Sequence, residues 1–260
     1  MLSSPAATSA SRNVHLLQQL VRRDFVARFT GSALGLGWAI LQPLTLVVLY
    51  WFVFTFMIPQ GPGMRDNGYV LFLISGLVPW IGFNEGIMRS TTTIVDNAPL
   101  VRRLAFRSEL LVVVPNATAM IFELVGLALF FVFLVAIGRA SVMLWVLPFA
   151  LMLQFMIQAG TGWFLAALYV FFRDLAQVLG FVLSILFYLS PILYRVSQRF
   201  ETIFDWNPLT PLLGLFRSGM LGDPLPPPHS IVFLAVFAAA VFAAGFAFFR
   251  KTQPMLVDLV

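Results

Sequence analysis

From Gly37 to Phe249 long apolar runs alternate with short polar connections, and nearly all charged side chains fall in the connections. Six runs are each long enough to cross a hydrocarbon layer of about 30 Å as a helix. They lie at about 37–58, 69–88, 110–137, 142–171, 175–194 and 230–249. The pattern predicts an all-α membrane protein with six transmembrane helices in one domain over residues 1–260. Pro115 and Pro148 fall near span starts, where proline is tolerated. Pro43 and Pro79 fall further inside their spans and are kink candidates. The last span is rich in alanine and glycine, which suits either close helix packing or a plain apolar anchor.

The segments between spans also carry patterns. Over 14–29 an apolar stripe of Val14, Leu17, Val21, Phe25 and Phe29 recurs at helical spacing. Polar residues opposite it predict an N-terminal amphipathic helix on the membrane surface, or a plain juxtamembrane anchor. Residues 96–107 begin with Asp96, Asn97 and Pro99, which suit a helix start, and predict a short basic helix with Arg103 and Arg107 on one face. The segment 195–229 is the longest connection. Its stretch from Leu209 to Leu221 is too apolar for a simple loop and too short to span, which predicts short re-entrant or interfacial helices before the last span.

Composition sharpens this picture. Hydrophobic residues form 60% of the chain and charged ones 10%, against about 25% charged in a soluble domain. The net charge of +5 is read as the basic bias of cytoplasmic loops, because no soluble basic stretch with interleaved aromatics indicates a nucleic-acid partner. With both termini inside, Arg12, Arg22, Arg23, Arg28, Arg89, Arg102, Arg103, Arg107, Arg173, Arg250 and Lys251 are cytoplasmic. Only Arg65, Arg139, Arg195, Arg199 and Arg217 are external, so the asymmetry favours this orientation. Residues 1–11 have no apolar core with a cleavage site, so the first span is expected to stay in the mature protein.

Candidate chemistry is sparse. Cysteine is absent, the sole lysine is Lys251, and the two histidines, His15 and His229, fall on opposite sides in this topology. No catalytic constellation, metal site or phosphate-binding loop is expected, so the chain is not expected to hydrolyse ATP by itself. Glu85 and Glu123 are acidic residues inside predicted spans, read either as cavity or gate residues or as snorkelling or interhelical hydrogen-bonded side chains. Twenty-eight phenylalanines raise the aromatic content to 15%. Most must face lipid or other helices, yet some could line a path on which sugar rings stack.

Several motifs together resemble a family. Arg28-Phe29-Thr30-Gly31-Ser32-Ala33-Leu34-Gly35 before Trp38 resembles the entry to the first span of type-2 ABC exporter permeases, in the branch exporting O-antigen, capsule and teichoic-acid polymers. Asn97-Ala98-Pro99-Leu100-Val101-Arg102-Arg103 is similar to the branch's segment between spans two and three, and Phe172-Arg173-Asp174-Leu175 to its turn between spans four and five. Ser190-Pro191-Ile192-Leu193-Tyr194 and Asn207-Pro208-Leu209 resemble its external motifs. Thr30 replaces a common basic residue and Arg107 a common proline.

The resemblance implies the transmembrane subunit of an ATP-driven exporter in a bacterial inner membrane. It implies a homodimer paired with two copies of a separate ATPase, which binds ATP and magnesium; this chain is expected to hold no cofactor. The implied substrate is a polysaccharide linked to polyprenyl pyrophosphate, and membrane lipids surround the protein. Arg102, Arg103 and Arg107, with Arg28 second, are candidates for handling the pyrophosphate, because guanidinium groups bind phosphate oxygens in bidentate fashion. The same arginines would equally serve as inside-positive charges or contact acidic lipids. Asp96, Asn97, Arg173 and Asp174 are candidates for contact with the ATPase or for coupling. Rival readings are a type-2 exporter of drugs or lipids, a membrane-embedded lipid-modifying enzyme and a passive channel.

Overall fold

The computed structural model describes residues 5–28, 30–57, 68–102, 107–141, 143–196, 204 and 206–259. Every regular element among the described residues is a helix. Helix α1 covers Pro5–Ala27, and α2 covers Trp38–Phe52 and continues through a π-helical turn, Val53–Met57. There follow α3 (Gly68–Asp96), the single turn α4 (Ala98–Val101), α5 (Ser108–Ala136), α6 (Val146–Phe171) and α7 (Leu175–Leu189). The last two are α8 (Leu209–Leu221) and α9 (Pro228–Leu259).

Four helices, α3, α5, α6 and α9, are long and apolar enough to cross a bilayer. The chain is therefore a polytopic membrane protein. The other two apolar helices, α2 and α7, have 15 residues each, which is about 22 Å of helix. Boundaries differ from expectation mainly at polar ends. α3 runs on to Asp96, where Thr91 donates back to the carbonyl of Ile87 and Thr92 to Asp96 within the helix, and α9 runs on to Leu259 through Arg250 and Lys251, which are good helix residues.

Of the basic helix expected over 96–107, the described residues show the single turn α4. α4 ends at Val101, and Arg107 has φ −87° and ψ 88°, a non-helical conformation immediately before α5. Residues 103–106 lie outside the described residues. Arg107 is non-helical and Ser108 begins α5, so no helix runs unbroken through Arg107 into α5. Of the segment expected to be external, 197–203 and 205 also lie outside the described residues, and its described part includes the helix α8.

Two apolar clusters hold the bundle. The larger joins α3, α5, α6, α8 and α9 through residues such as Leu71, Ile74, Phe130, Leu153, Phe216 and Leu234. The smaller lies toward the other end, where Ile94, Leu111, Trp163, Phe249 and Leu256 meet and Leu17 of α1 packs against them. The small residues of the last span do make a close helix pair. A Cβ built on Gly245 would strike the backbone of Gly160, and one on Gly160 would strike Val241 and Phe242. α6 and α9 therefore touch backbone to backbone, which is the packing small residues allow in membranes.

Candidate functional site

Three groups of side chains in this lipid-embedded bundle bear on a candidate site. The first is where α1 reaches α3 and α5. Arg89 of α3 donates through Nη2 to both carboxylate oxygens of Asp24, at 2.7 and 2.8 Å. Glu85, one helical turn earlier, lies 3.6 Å from Arg89 and is paired with Arg28. Arg28 also lies over the ring of Phe122, with its Cζ 4.2 Å from the centroid, and Phe25 stacks on that ring at 5.0 Å. Glu85 and Arg89 share a face because they are four apart. The chain of charges from Asp24 to Arg28 thus clips the end of α1 to α3. Arg28 and Glu85 are 24% and 19% exposed, so the pair is partly withdrawn from water.

Deeper along the same face lies a cleft lined by Arg28, Gln42, Pro43, Tyr50, Glu85 and Glu123 among others. Glu123 is buried and accepts a hydrogen bond from Gln154 of α6. Four residues further along α6, Gln158 donates to the carbonyl of Gly82 at 2.9 Å. Gly82 and Gly86 make room for this layer, since a Cβ on Gly82 would strike Glu123 and one on Gly86 would meet Asn116 and Gln158 at 2.7 Å. One oxygen on each of Asn116, Glu123, Gln154 and Gln158 is buried without a hydrogen-bond partner. Such polar layers inside a bundle mark water-filled or functional positions.

The third place is a groove between α2, α3 and α7. Tyr50, Trp80, Phe187 and Tyr188 line it, together with Asn84 and Ser184. Trp80 and Phe187 have ring centroids 5.5 Å apart, and Phe187 meets Tyr188 edge-on at 5.2 Å. Tyr188 is 65% exposed, so its ring is free to meet something outside this chain.

The residues singled out in sequence are therefore divided. Arg28, Glu85 and Glu123 all line one cleft. Arg102 is exposed at the end of α4 and Arg107 is exposed ahead of α5, while Arg103 lies outside the described residues. Asp96 accepts from Thr92 at 2.6 Å, and Asn97 donates to the carbonyl of Thr93 at 2.9 Å rather than capping α4. Arg173 lies over Tyr169, with 5.4 Å from Cζ to the centroid, and Asp174 is the exposed residue before α7. Among the described residues no ion pair joins these two. Sequence reasoning did not assign Asp24, Asn116, Gln154 and Gln158. The last two are polar residues four apart in an apolar run, which was a legible signal for a shared polar face.

The described residues contain no group of acidic, histidine or cysteine side chains that could hold a metal. Comparison with known proteins places the rest. Residues 15–221 match the family model described as ABC-2 type transporter. The chain is 28% identical over 258 residues to the O-antigen export system permease protein RfbA of Klebsiella pneumoniae, covering 94% of this chain and 95% of that protein. It is 27% identical over 253 residues to the protein of the same description from Myxococcus xanthus, with the same coverage. It is 22% identical over 249 residues to the polysialic acid transport protein KpsM of Escherichia coli, covering 93% and 95%.

Proposed function

Because the chain belongs to the ABC-2 type transporter family, as a permease related to O-antigen and polysialic acid export proteins, we propose that it moves a polysaccharide linked to polyprenyl pyrophosphate across a bacterial inner membrane. The observation that carries the reading is the groove of Tyr50, Trp80, Phe187 and Tyr188 flanked by Asn84 and Ser184. Sugar rings stack on aromatic faces and satisfy their hydroxyls with amide and hydroxyl groups, so this lining suits a carbohydrate. An apolar drug or lipid would gain little from the polar pair.

The proposed assembly is a homodimer with two copies of a separate ATPase, which binds ATP and magnesium. The groove lies open on one chain, and its flanks are the apolar faces of α2 and α7. Ile40, Val48, Val178, Phe181 and Ile185 are all at least half exposed there. A second copy set against these faces would enclose the groove as a channel. α2 and α7 then complete six spans, with both termini cytoplasmic, α1 at the inner interface and α8 dipping in from the outer side.

Roles follow from these places. Arg102, Arg103 and Arg107 meet the pyrophosphate at the cytoplasmic surface, with Arg28, already committed to Glu85, second to them. Glu85 and Glu123 line the cleft next to the path and act as cavity or gate groups. Asp96, Asn97, Arg173 and Asp174 lie at the cytoplasmic ends of helices and face the ATPase.

The test is loss of the gene in its own host. Polymer should then be retained inside the cell while its synthesis continues. Unchanged surface polymer together with altered resistance to drugs, or an altered lipid content of the outer leaflet, would favour the exporter of drugs or lipids instead.

A further inference from the structure

The end of the bundle away from α1 contains a second polar cavity, unused by the reading above. α8 is inserted among α3, α6 and α9, and its one charged residue, Arg217, is only 6% exposed. Room for that side chain comes from Gly76 of α3, where a Cβ would meet Nη2 of Arg217 at 2.9 Å. The guanidinium lies on the ring of Phe72, with Cζ 3.7 Å from its centroid, and donates through Nη2 to the carbonyl of Pro191 at 2.6 Å. Arg195 approaches the same ring, with its Cζ at 5.2 Å. Two cations share one aromatic ring, and both line an open cavity of about 370 Å³.

The lining has a consistent chemistry. Nε of Arg217, Oγ of Ser230 and Oγ1 of Thr210 are buried without a hydrogen-bond partner, and all three residues border this cavity. Ser230 is 4% exposed. Buried donors are rarely left unmatched, and here each of the three can donate. Asp223 also borders the cavity and offsets one of the two positive charges, leaving a net charge of +1. Aspartate cannot serve the guanidinium Nε without a hydrogen bond, and none is made. Guanidinium forks with hydroxyl donors match the oxygens of a phosphate.

We propose that this cavity is a phosphate-binding site, occupied by a phosphate-bearing headgroup. That it opens on the outer side of the membrane rests on the topology proposed above; its affinity for phosphate does not. A site at this end would receive the headgroup of a lipid that has already crossed, on the side opposite Arg102 and Arg107.

The test uses the full chain in nanodiscs of neutral lipid, with cysteine in place of Leu225, a 42% exposed residue on the cavity wall. Labelling of L225C by a maleimide is followed with and without inorganic pyrophosphate, farnesyl pyrophosphate or added phosphatidylglycerol. At least one of the three should slow labelling, and Arg195→Gln should weaken that protection about tenfold. Ser230→Ala should weaken it several-fold, and Arg102→Gln with Arg107→Gln should leave it unchanged. Arg195 is exposed, so its replacement keeps the test valid even if Arg217→Gln fails to fold. Protection by farnesyl pyrophosphate but not phosphatidylglycerol identifies a polyprenyl carrier; the reverse identifies a bilayer phospholipid. Protection by none of them, or protection untouched by Arg195→Gln and Ser230→Ala, overturns the site. In intact cells L225C should label from outside. Labelling only from the cytoplasm would overturn the topology while leaving phosphate binding intact.

Discussion

Replacing Arg28 and Glu85, singly and together, by glutamine probes the contact that fastens α1 to the bundle. The pair makes two hydrogen bonds between charged groups, Arg28 Nη1 to Oε1 and Nη2 to Oε2 of Glu85. Hydrogen bonds to charged groups contribute about 1.5–3 kcal/mol each when well shielded. The side chains here are 24% and 19% exposed, which places the pair between a surface bridge and a buried one. Arg28→Gln also removes the cation over Phe122, about 0.5–1 kcal/mol at such a site, but leaves Glu85 with Arg89. Each single variant should therefore lose about 2 kcal/mol. The double variant should lose less than the sum by about 1–2 kcal/mol, since the Arg28–Glu85 contact is lost once in the double variant but counted twice in the sum. Reversible unfolding of the detergent-solubilised protein supplies the cycle. Additivity within about 0.5 kcal/mol would refute the pairing.

Gly245→Leu must drive α9 off the backbone of Gly160 and should cost about 3 kcal/mol or more; Ala240→Leu, on an exposed position of the same helix, should leave the accumulated protein unchanged. Equal yields of the two variants in membranes would contradict the close pair. Glutamine at Arg102, Arg103 and Arg107 together should lower the export rate at least about tenfold while sparing ATPase binding, and lysine at the three should recover only part of it; a normal rate in the triple glutamine variant would remove them from phosphate handling. Tyr188→Ala, on the exposed wall of the groove, should slow polymer export with little change in thermal stability, and an unaltered rate would remove this ring from the path.

The long apolar runs made α3, α5, α6 and α9 legible, because a span must satisfy its backbone within one helix and therefore announces itself by length. α8 was legible for the opposite reason, being apolar but short. The non-helical Arg107 was not legible, because charge spacing alone cannot report where α5 must begin. Glu85 and Glu123 stood out as carboxylates in apolar surroundings. Their partners did not, since Arg28 and Gln154 lie 57 and 31 residues away in sequence and only packing joins them. The aromatic groove was hidden among 28 phenylalanines; Tyr50, Trp80 and Tyr188 come together from three helices, and no single segment contains the pattern.

The central claim is that this permease carries a polymer on a polyprenyl pyrophosphate under the power of a separate ATPase. Purification in mild detergent with whichever ATPase accompanies it, followed by reconstitution into liposomes, tests this directly. Labelled polyprenyl-pyrophosphate oligosaccharide placed on the ATPase side should become accessible to a glycosidase on the opposite side only when ATP and magnesium are supplied. Transfer at the same rate without ATP, or ATP-driven transfer of lipids with none of the glycan-bearing carrier, would contradict it.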